Sequence, residues 1–177
     1  PAPDAEHRRR NTAAVLAFDA PLTVVIDNLG DPRTSTATSV RAGLTTVGTE
    51  MGGGGAVSPE ALKICRRGVR NVLAHLGILP PVRREEEKRR RVLAIPGASG
   101  YVFAGSDGVF ESFHPLGTEV RAGEEAGRVH HLTDPSSPPE PLTFAADGIL
   151  YGRRQPGRVV PGNCCLVVAA EYRGDLG

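Results

Sequence analysis

The second half of the chain repeats itself, and a repeat restricts the fold more than any single motif. Asp107-Gly108-Val109-Phe110 is followed by Leu116-Gly117-Thr118-Glu119-Val120-Arg121-Ala122-Gly123 and then by Gly127-Arg128-Val129. Later, Asp147-Gly148-Ile149-Leu150 is followed by Pro156-Gly157-Arg158-Val159-Val160-Pro161-Gly162 and then by Leu166-Val167-Val168. Each copy reads Asp-Gly, strand, a glycine-bounded turn segment holding a valine, strand. From Val92 onward short strands alternate with Gly, Pro and Asp turns and helical periodicity disappears. Two copies of such a unit predict a pseudo-twofold β-sandwich, because neither copy can bury its apolar face alone.

The first half follows a different pattern. Pro1 to Arg10 is polar and begins no recognisable element, and Asn11 to Phe18 predicts a short helix ended by Pro21. Leu22 to Ile26 is a β-branched run that predicts a buried strand. Asp27 to Arg33 reads as loop, Ser35 to Arg41 as a helix stopped by Gly43, and Leu44 to Glu50 as a second strand. Ser58-Pro59-Glu60 supplies an N-cap, a proline at the first helical position and an acid in the first turn. Leu62, Cys65, Val69, Val72, Leu73 and Leu76 then follow helical spacing and predict one buried face, with Gly77 as the stop before Pro80-Pro81. Alternating helix and strand predict the end of an α/β domain with a parallel component. Arg83 to Arg91 interleaves three Glu among its basic residues, so its signs nearly cancel and it reads as a solvated linker. The predicted organisation is α/β followed by all-β: one domain over 1–81, a charged linker over 82–91 and a β domain over 92–177.

One short stretch carries chemistry. Thr49-Glu50-Met51 leads directly into Gly52-Gly53-Gly54-Gly55. A carboxylate at the end of an apolar run, followed by a loop without side chains, can place a general base at the mouth of a cleft, since glycine admits positive φ and close approach of a substrate. The same pattern also describes an ordinary glycine-rich turn beside a solvated Glu. Arg41, on the helix before this strand, could hold a substrate carboxylate through a bidentate pair or serve as a solvated helix-end arginine.

Composition removes several classes. The formal net charge is +1 over 177 residues, so no global field favours nucleic acid or a membrane surface. No run of apolar residues is long enough to span a bilayer, and no apolar targeting segment opens the sequence, which predicts a cytoplasmic protein. The three cysteines, Cys65, Cys164 and Cys165, form no Cys-x-x-Cys pair and read as reduced thiols. The chain opens on Pro1 rather than Met, which reads as a piece of something longer or a missed start.

The repeat is similar to that of biotinyl and lipoyl carrier domains, the barrel-sandwich hybrids. Carriers need a lysine at a hairpin tip, yet Lys63 and Lys88 are the only lysines and both precede the repeat. The module therefore serves another purpose. An α/β segment with Thr-Glu-Met-Gly-Gly-Gly-Gly, a helix reading Arg67-Gly68-Val69-Arg70-Asn71-Val72-Leu73-Ala74-His75-Leu76-Gly77, and a lysine-free sandwich together resemble the succinylglutamate desuccinylase/aspartoacylase family of zinc-dependent deacylases. Gly108-Val109-Phe110-Glu111 and Gly127-Arg128-Val129-His130 look most like the branch that includes N-acetyl-diaminobutyrate deacetylases.

The resemblance implies the C-terminal part of a carboxypeptidase-like α/β zinc hydrolase domain plus a barrel-sandwich-hybrid-like β domain. It implies hydrolysis of the amide bond of a small N-acylated amino acid, with Glu50 as general base and Arg41 as a candidate substrate-binding residue. It implies sandwich domains that flank the active-site entrance, which His130 could face. It implies zinc, but the family's His-x-x-Glu ligand motif is absent here. The five histidines, His7, His75, His114, His130 and His131, offer only His130-His131-x-x-Asp134 as an imitation of a ligand cluster. The zinc ligands are accordingly expected upstream of Pro1, none in this chain, and the chain alone is expected to be inactive. The expected partner is a small N-acyl amino acid, with no nucleic acid and no membrane; a homo-oligomer is compatible with the sequence. The alternative is a non-catalytic β-sandwich assembly or binding module from a truncated hydrolase.

Overall fold

The structure, a computed structural model, describes residues 4–26, 33–81 and 91–176. The chain divides into two compact units, Pro1–Val92 with Arg173–Gly177, and Leu93–Tyr172. The expected loop over Asp27 to Arg33, all but its last residue, and the charged run up to Arg90 lie outside the described residues.

In the first unit, α1 spans Ala5–Phe18. It starts well before the expected Asn11, because Asp4 is an N-cap whose carboxylate accepts from the His7 backbone N–H at 2.7 Å. The polar opening thus does begin an element. Its start is hidden in sequence because Arg8, Arg9 and Arg10 interrupt any apolar stripe. β1 spans Leu22–Val25. α2 spans Ser35–Arg41, capped by Thr34, whose hydroxyl accepts from Ala37 N–H at 3.1 Å. α3 spans Pro59–His75, capped by Ser58 with Pro59 in the first turn.

The two helix ends use one device. After α2, Gly43 N–H donates to Val40 and Leu44 N–H to Ser39; after α3, Gly77 N–H donates to Ala74 and Ile78 N–H to Leu73. Both are Schellman motifs, with Gly43 and Gly77 at φ +75° and +73°. The stops read from Gly43 and Gly77 are therefore geometric requirements.

α1 and α3 pack through Gly68, the one residue of α3 classed as buried. A Cβ on Gly68 would stand 2.4 Å from Phe18 Cζ, so the helices approach closely only because that side chain is missing. The apolar face predicted for α3 is a correction. Leu62, Val69 and Leu76 are exposed, because the α1 contact is made beside that face and the described residues offer nothing to cover it. The expected strand over Leu44 to Glu50 is a second correction. This segment forms no ladder. Strands exist by pairing, and here the Thr46 N–H is taken by the Asn11 side-chain oxygen at 3.0 Å.

The second unit holds β2 (Arg91–Ala94, which enters from the first unit), β3 (Tyr101–Phe103), β4 (Gly108–Ser112), β5 (Glu119–Val120), β6 (Glu125–His130), β7 (Glu140–Thr143), β8 (Gly148–Arg153), β9 (Arg158–Val159) and β10 (Cys164–Glu171). One sheet runs β2-β10-β8-β5 with β3 also on β10; the other runs β7-β6-β4-β9. Phe110, Val129, Leu142 and Val159 from one sheet and Val120, Leu150, Leu166 and Val168 from the other share one core. Alternation along β4, with Phe110 buried and Val109 and Glu111 exposed, is the period of a half-buried strand.

Strand pairing follows the repeat. The first copy supplies β4, β5 and β6, the second β8, β9 and β10. β9 of the second copy pairs with β4 of the first, Gly108 opposite Val159, while β5 of the first pairs with β8 of the second, Gly148 opposite Val120. Each copy lends its short strand to the other's sheet, so neither closes alone. The described units are thus mixed α/β with two sheets.

Candidate active site

Glu50 stands on a segment positioned by α1 and α2. Buried His7 donates from Nε2 to the Leu44 carbonyl at 2.9 Å. The Arg10 guanidinium donates to the Gly43 carbonyl at 3.2 Å and Asn11 accepts from Thr46, so three residues of α1 hold the segment before Glu50. Sequence reasoning missed His7 and Asn11. The Asp4-to-His7 spacing, that of an N-cap and its recipient N–H, signals the helix start but not the side-chain contacts of His7 and Asn11.

Past this clamp the chain is open. Thr49, Glu50 and Met51 are exposed, as are Gly52 to Gly55. Gly52, Gly54 and Gly55 adopt φ of +96°, +69° and +74°, which side chains oppose. The loop then closes on α3, where Ala61 N–H donates to Ser58 Oγ at 3.2 Å. The result is an accessible carboxylate one residue, Met51, before a backbone run that presents no side chains: the carboxylate can accept a proton and the glycine run can admit a substrate. Arg41, in the last turn of α2, is exposed and donates to Thr38 Oγ1 at 3.1 Å.

Residues 1–76, which include Arg41, Glu50 and α3, match the succinylglutamate desuccinylase/aspartoacylase catalytic domain. The N-alpha-acetyl-L-2,4-diaminobutyric acid deacetylase of Halomonas elongata is 33% identical over 166 residues, 94% of this chain and 48% of that protein. The chain belongs to the succinylglutamate desuccinylase/aspartoacylase family. Among solved members, a succinylglutamate desuccinylase/aspartoacylase from Rhodobacter sphaeroides is 36% identical, with a TM-score of 0.86 over 97% of this chain and 52% of that one. The product-bound ectoine utilization protein EutE (DoeB) from Ruegeria pomeroyi is 32% identical, with a TM-score of 0.85 over 94% of this chain and 50% of that one. The chain spans about half the length of these relatives.

The described side chains do not fit the zinc that the family resemblance implies. Among the described residues no group of three His, Cys, Asp or Glu could hold a metal ion. Each histidine of interest has other business. His7 serves Leu44. His114 Nε2 donates to the Glu125 carbonyl at 2.8 Å. His130 Nε2 donates to Glu111 Oε2 at 2.7 Å, and the same oxygen lies 3.2 Å from Arg128 Nε, whose guanidinium covers the Phe113 ring at 4.6 Å. Asp134 does not join His130 and His131, because it accepts from Ser136 Oγ at 2.6 Å and Ser137 Oγ at 2.5 Å. Those hydrogen bonds, that of Ser136 first, hold its carboxyl below the ordinary value.

The cysteines divide as adjacent strand residues must. Cys165 is fully buried in the β core, and burial first, then the neighbouring Cys164, pushes its thiol up to about 11. Cys164 is raised as well, mainly by desolvation, while Cys65 is half-buried on α3. The thiolate is the nucleophile, so a raised value and a closed site both slow reaction. Iodoacetamide at about pH 8 on the native chain is therefore expected to modify Cys65 first and leave Cys165 intact. Peptide masses check this; equal modification of Cys165 would mean that the inner face of β10 is open.

Proposed function

We propose that the chain forms part of a deacylase that hydrolyses the amide bond of a small N-acylated amino acid. Glu50 is the general base. It takes a proton from the attacking water and returns it to the leaving amine, exchanges that need only one hydrogen bond's reach. The observation that carries the reading is the exposed carboxylate at a loop where three glycines hold positive φ, inside the stretch that matches the family's catalytic domain. Arg41 is the proposed partner of the substrate carboxylate, since a guanidinium can grip both oxygens.

In this reading the first unit is part of a carboxypeptidase-like domain over 1–81, the run over 82–91 is a linker, and residues 92–177 form a barrel-sandwich-hybrid-like domain. The exchange of β5 and β9 between repeat copies supports the latter. Zinc enters from the family, with ligands on residues other than those described, and the protein works in the cytoplasm. No helix among the described residues is long and apolar enough to cross a membrane.

Release of free amino groups from a panel of N-acetyl and N-succinyl amino acids, by an assembly that contains this chain and spans the relatives' full length, tests the function. Turnover of at least one member is expected; a uniformly inert, folded assembly would remove the deacylase reading. Metal content is a separate check. The 177-residue chain dialysed after purification is expected to hold well under one zinc per molecule. One zinc per chain, lost on His130→Ala or His131→Ala, would overturn that expectation.

A further inference from the structure

Among the described residues, His7 is the one buried polar side chain, 3% exposed. A buried imidazole is less favourable than an apolar side chain in the same space unless its N–H makes a bond that the fold needs. That bond goes to the Leu44 carbonyl at 2.9 Å. Arg10 and Asn11 stand three and four residues after His7 and so share its helix face. They reach the Gly43 carbonyl at 3.2 Å and the Thr46 N–H at 3.0 Å. Leu44 to Glu50 forms no ladder, so its backbone groups depend on such partners. Further along the same face Ala14 and Phe18 are buried, and Phe18 lies against Gly68 of α3. Arg67 of α3 also donates to the carbonyl of Asp19, the C-cap of α1, at 3.1 Å. One helix therefore grips the chain on both sides of the glycine loop: the segment that enters it and the helix that leaves it. This sets the span that the loop between Thr46 and Ser58 must bridge, and Glu50 lies on that loop. The glycines cannot set it themselves, because their backbone is permissive.

We propose that His7 and Asn11 are positioning residues for the Glu50 carboxylate, acting through the Leu44 carbonyl and the Thr46 N–H to fix the entry to its loop. The inference rests on the reading of Glu50 as general base. A base works within one hydrogen bond's reach, and a misplacement of about 1 Å can lower a rate by about 10²-fold. Glu50 is exposed and has no packing of its own to hold it, so its place is inherited from the residues that tether the loop. Arg10 contributes less than the other two, since its side chain is exposed and water can replace it at Gly43.

Two measurements separate positioning from general support of the fold. On the 177-residue chain, amide exchange reads the grip directly. The Thr46 N–H is expected to be protected. Asn11→Leu speeds its exchange by about 5-fold or more, the worth of one hydrogen bond, while α3 keeps its protection and Asn11→Asp retains most of it. Kinetics come from the active deacylase assembly. His7→Phe keeps a ring in the space but removes the donor, and kcat is expected to fall about tenfold or more with KM changed much less. His7→Gln, whose amide N–H reaches the place of Nε2, restores most of the loss. Asn11→Leu, at a half-buried position, carries the same kinetic expectation should His7→Phe fail to fold. In the Glu50→Gln background neither variant lowers kcat further, because no base is left to misplace, whereas a fold defect acts equally in both backgrounds. The proposal is overturned if the Thr46 amide of the native chain exchanges without protection, or if the folded His7 and Asn11 variants keep a normal kcat. Equal losses with and without the Glu50 carboxylate overturn it as well. Normal turnover by Glu50→Gln itself removes the general-base reading and the positioning role together; impaired Glu50→Gln beside unimpaired His7 and Asn11 variants removes the positioning role alone.

Discussion

Replacing Glu50 by Gln, in an active deacylase assembly containing this chain, lowers kcat by about 10² to 10⁴-fold, the usual worth of a positioned general base. The substitution keeps shape and volume and removes only the ability to accept a proton. KM changes much less, because the base acts on the developing transition state rather than on the bound substrate. Structural disturbance is expected to be small. Glu50 is exposed and lies beyond the His7–Leu44 and Asn11–Thr46 hydrogen bonds that hold the segment. Glu50→Asp offers a second reading: the base survives but retreats by a methylene, so turnover falls by less than in the Gln variant. Steady-state kinetics on the best N-acyl substrate decide the matter. A Gln variant with near-normal kcat would make Glu50 a loop residue.

The contrast between legible and hidden features follows from range. Ser58-Pro59, Gly43 and Gly77 are legible in the sequence because caps are decided by residues within one turn of themselves. The glycine loop after Glu50 is legible for the same reason, since positive φ at Gly52, Gly54 and Gly55 is a local demand. Leu44 to Glu50 misleads because its apolar run satisfies the pattern of a strand without the partner that makes one. The face of α3 misleads in a related way: the spacing of Leu62, Val69 and Leu76 marks an apolar stripe, but burial is decided by what packs against it, and the described residues leave it exposed. His7 and Asn11 are invisible in sequence because their acceptor and donor lie on a distant loop. Glu50's catalytic role is a proposal that activity must test, whereas the loop that presents it is structural.

The repeat gives the other large effect. Gly108 and Gly148 occupy matching places in the two copies, and both lie where strands cross too closely for any side chain. A Cβ on Gly108 would stand 2.1 Å from the His130 carbonyl oxygen, and one on Gly148 would stand 2.5 Å from that of Ala169. Both obstacles are backbone atoms of strands fixed in their ladders, so they cannot swing aside as a side-chain tip would. The preceding aspartates fasten the same turns: Asp107 lies 3.4 Å from the Arg158 guanidinium, and Asp147 accepts from Ala122 N–H at 2.8 Å. The recurrent Asp-Gly thus joins a close strand approach that needs glycine to a carboxylate that contacts the other copy, Asp107 at Arg158 of β9 and Asp147 at Ala122 in the turn after β5. Gly108→Ala is expected to destabilise the second unit by about 3 kcal/mol or more, at or beyond the upper end of overpacking substitutions, and Gly148→Ala by a similar amount. Gly157→Ala provides the contrast. Its Cβ would meet Phe110 O at 3.4 Å, near ordinary contact, and the expected loss is within about 1 kcal/mol. Urea unfolding followed by amide exchange over 108–130 and 148–169 measures all three. Equal stability of Gly108→Ala and Gly157→Ala would show that the crossing at His130 is looser than described, and that the Asp-Gly repeat serves only its turn.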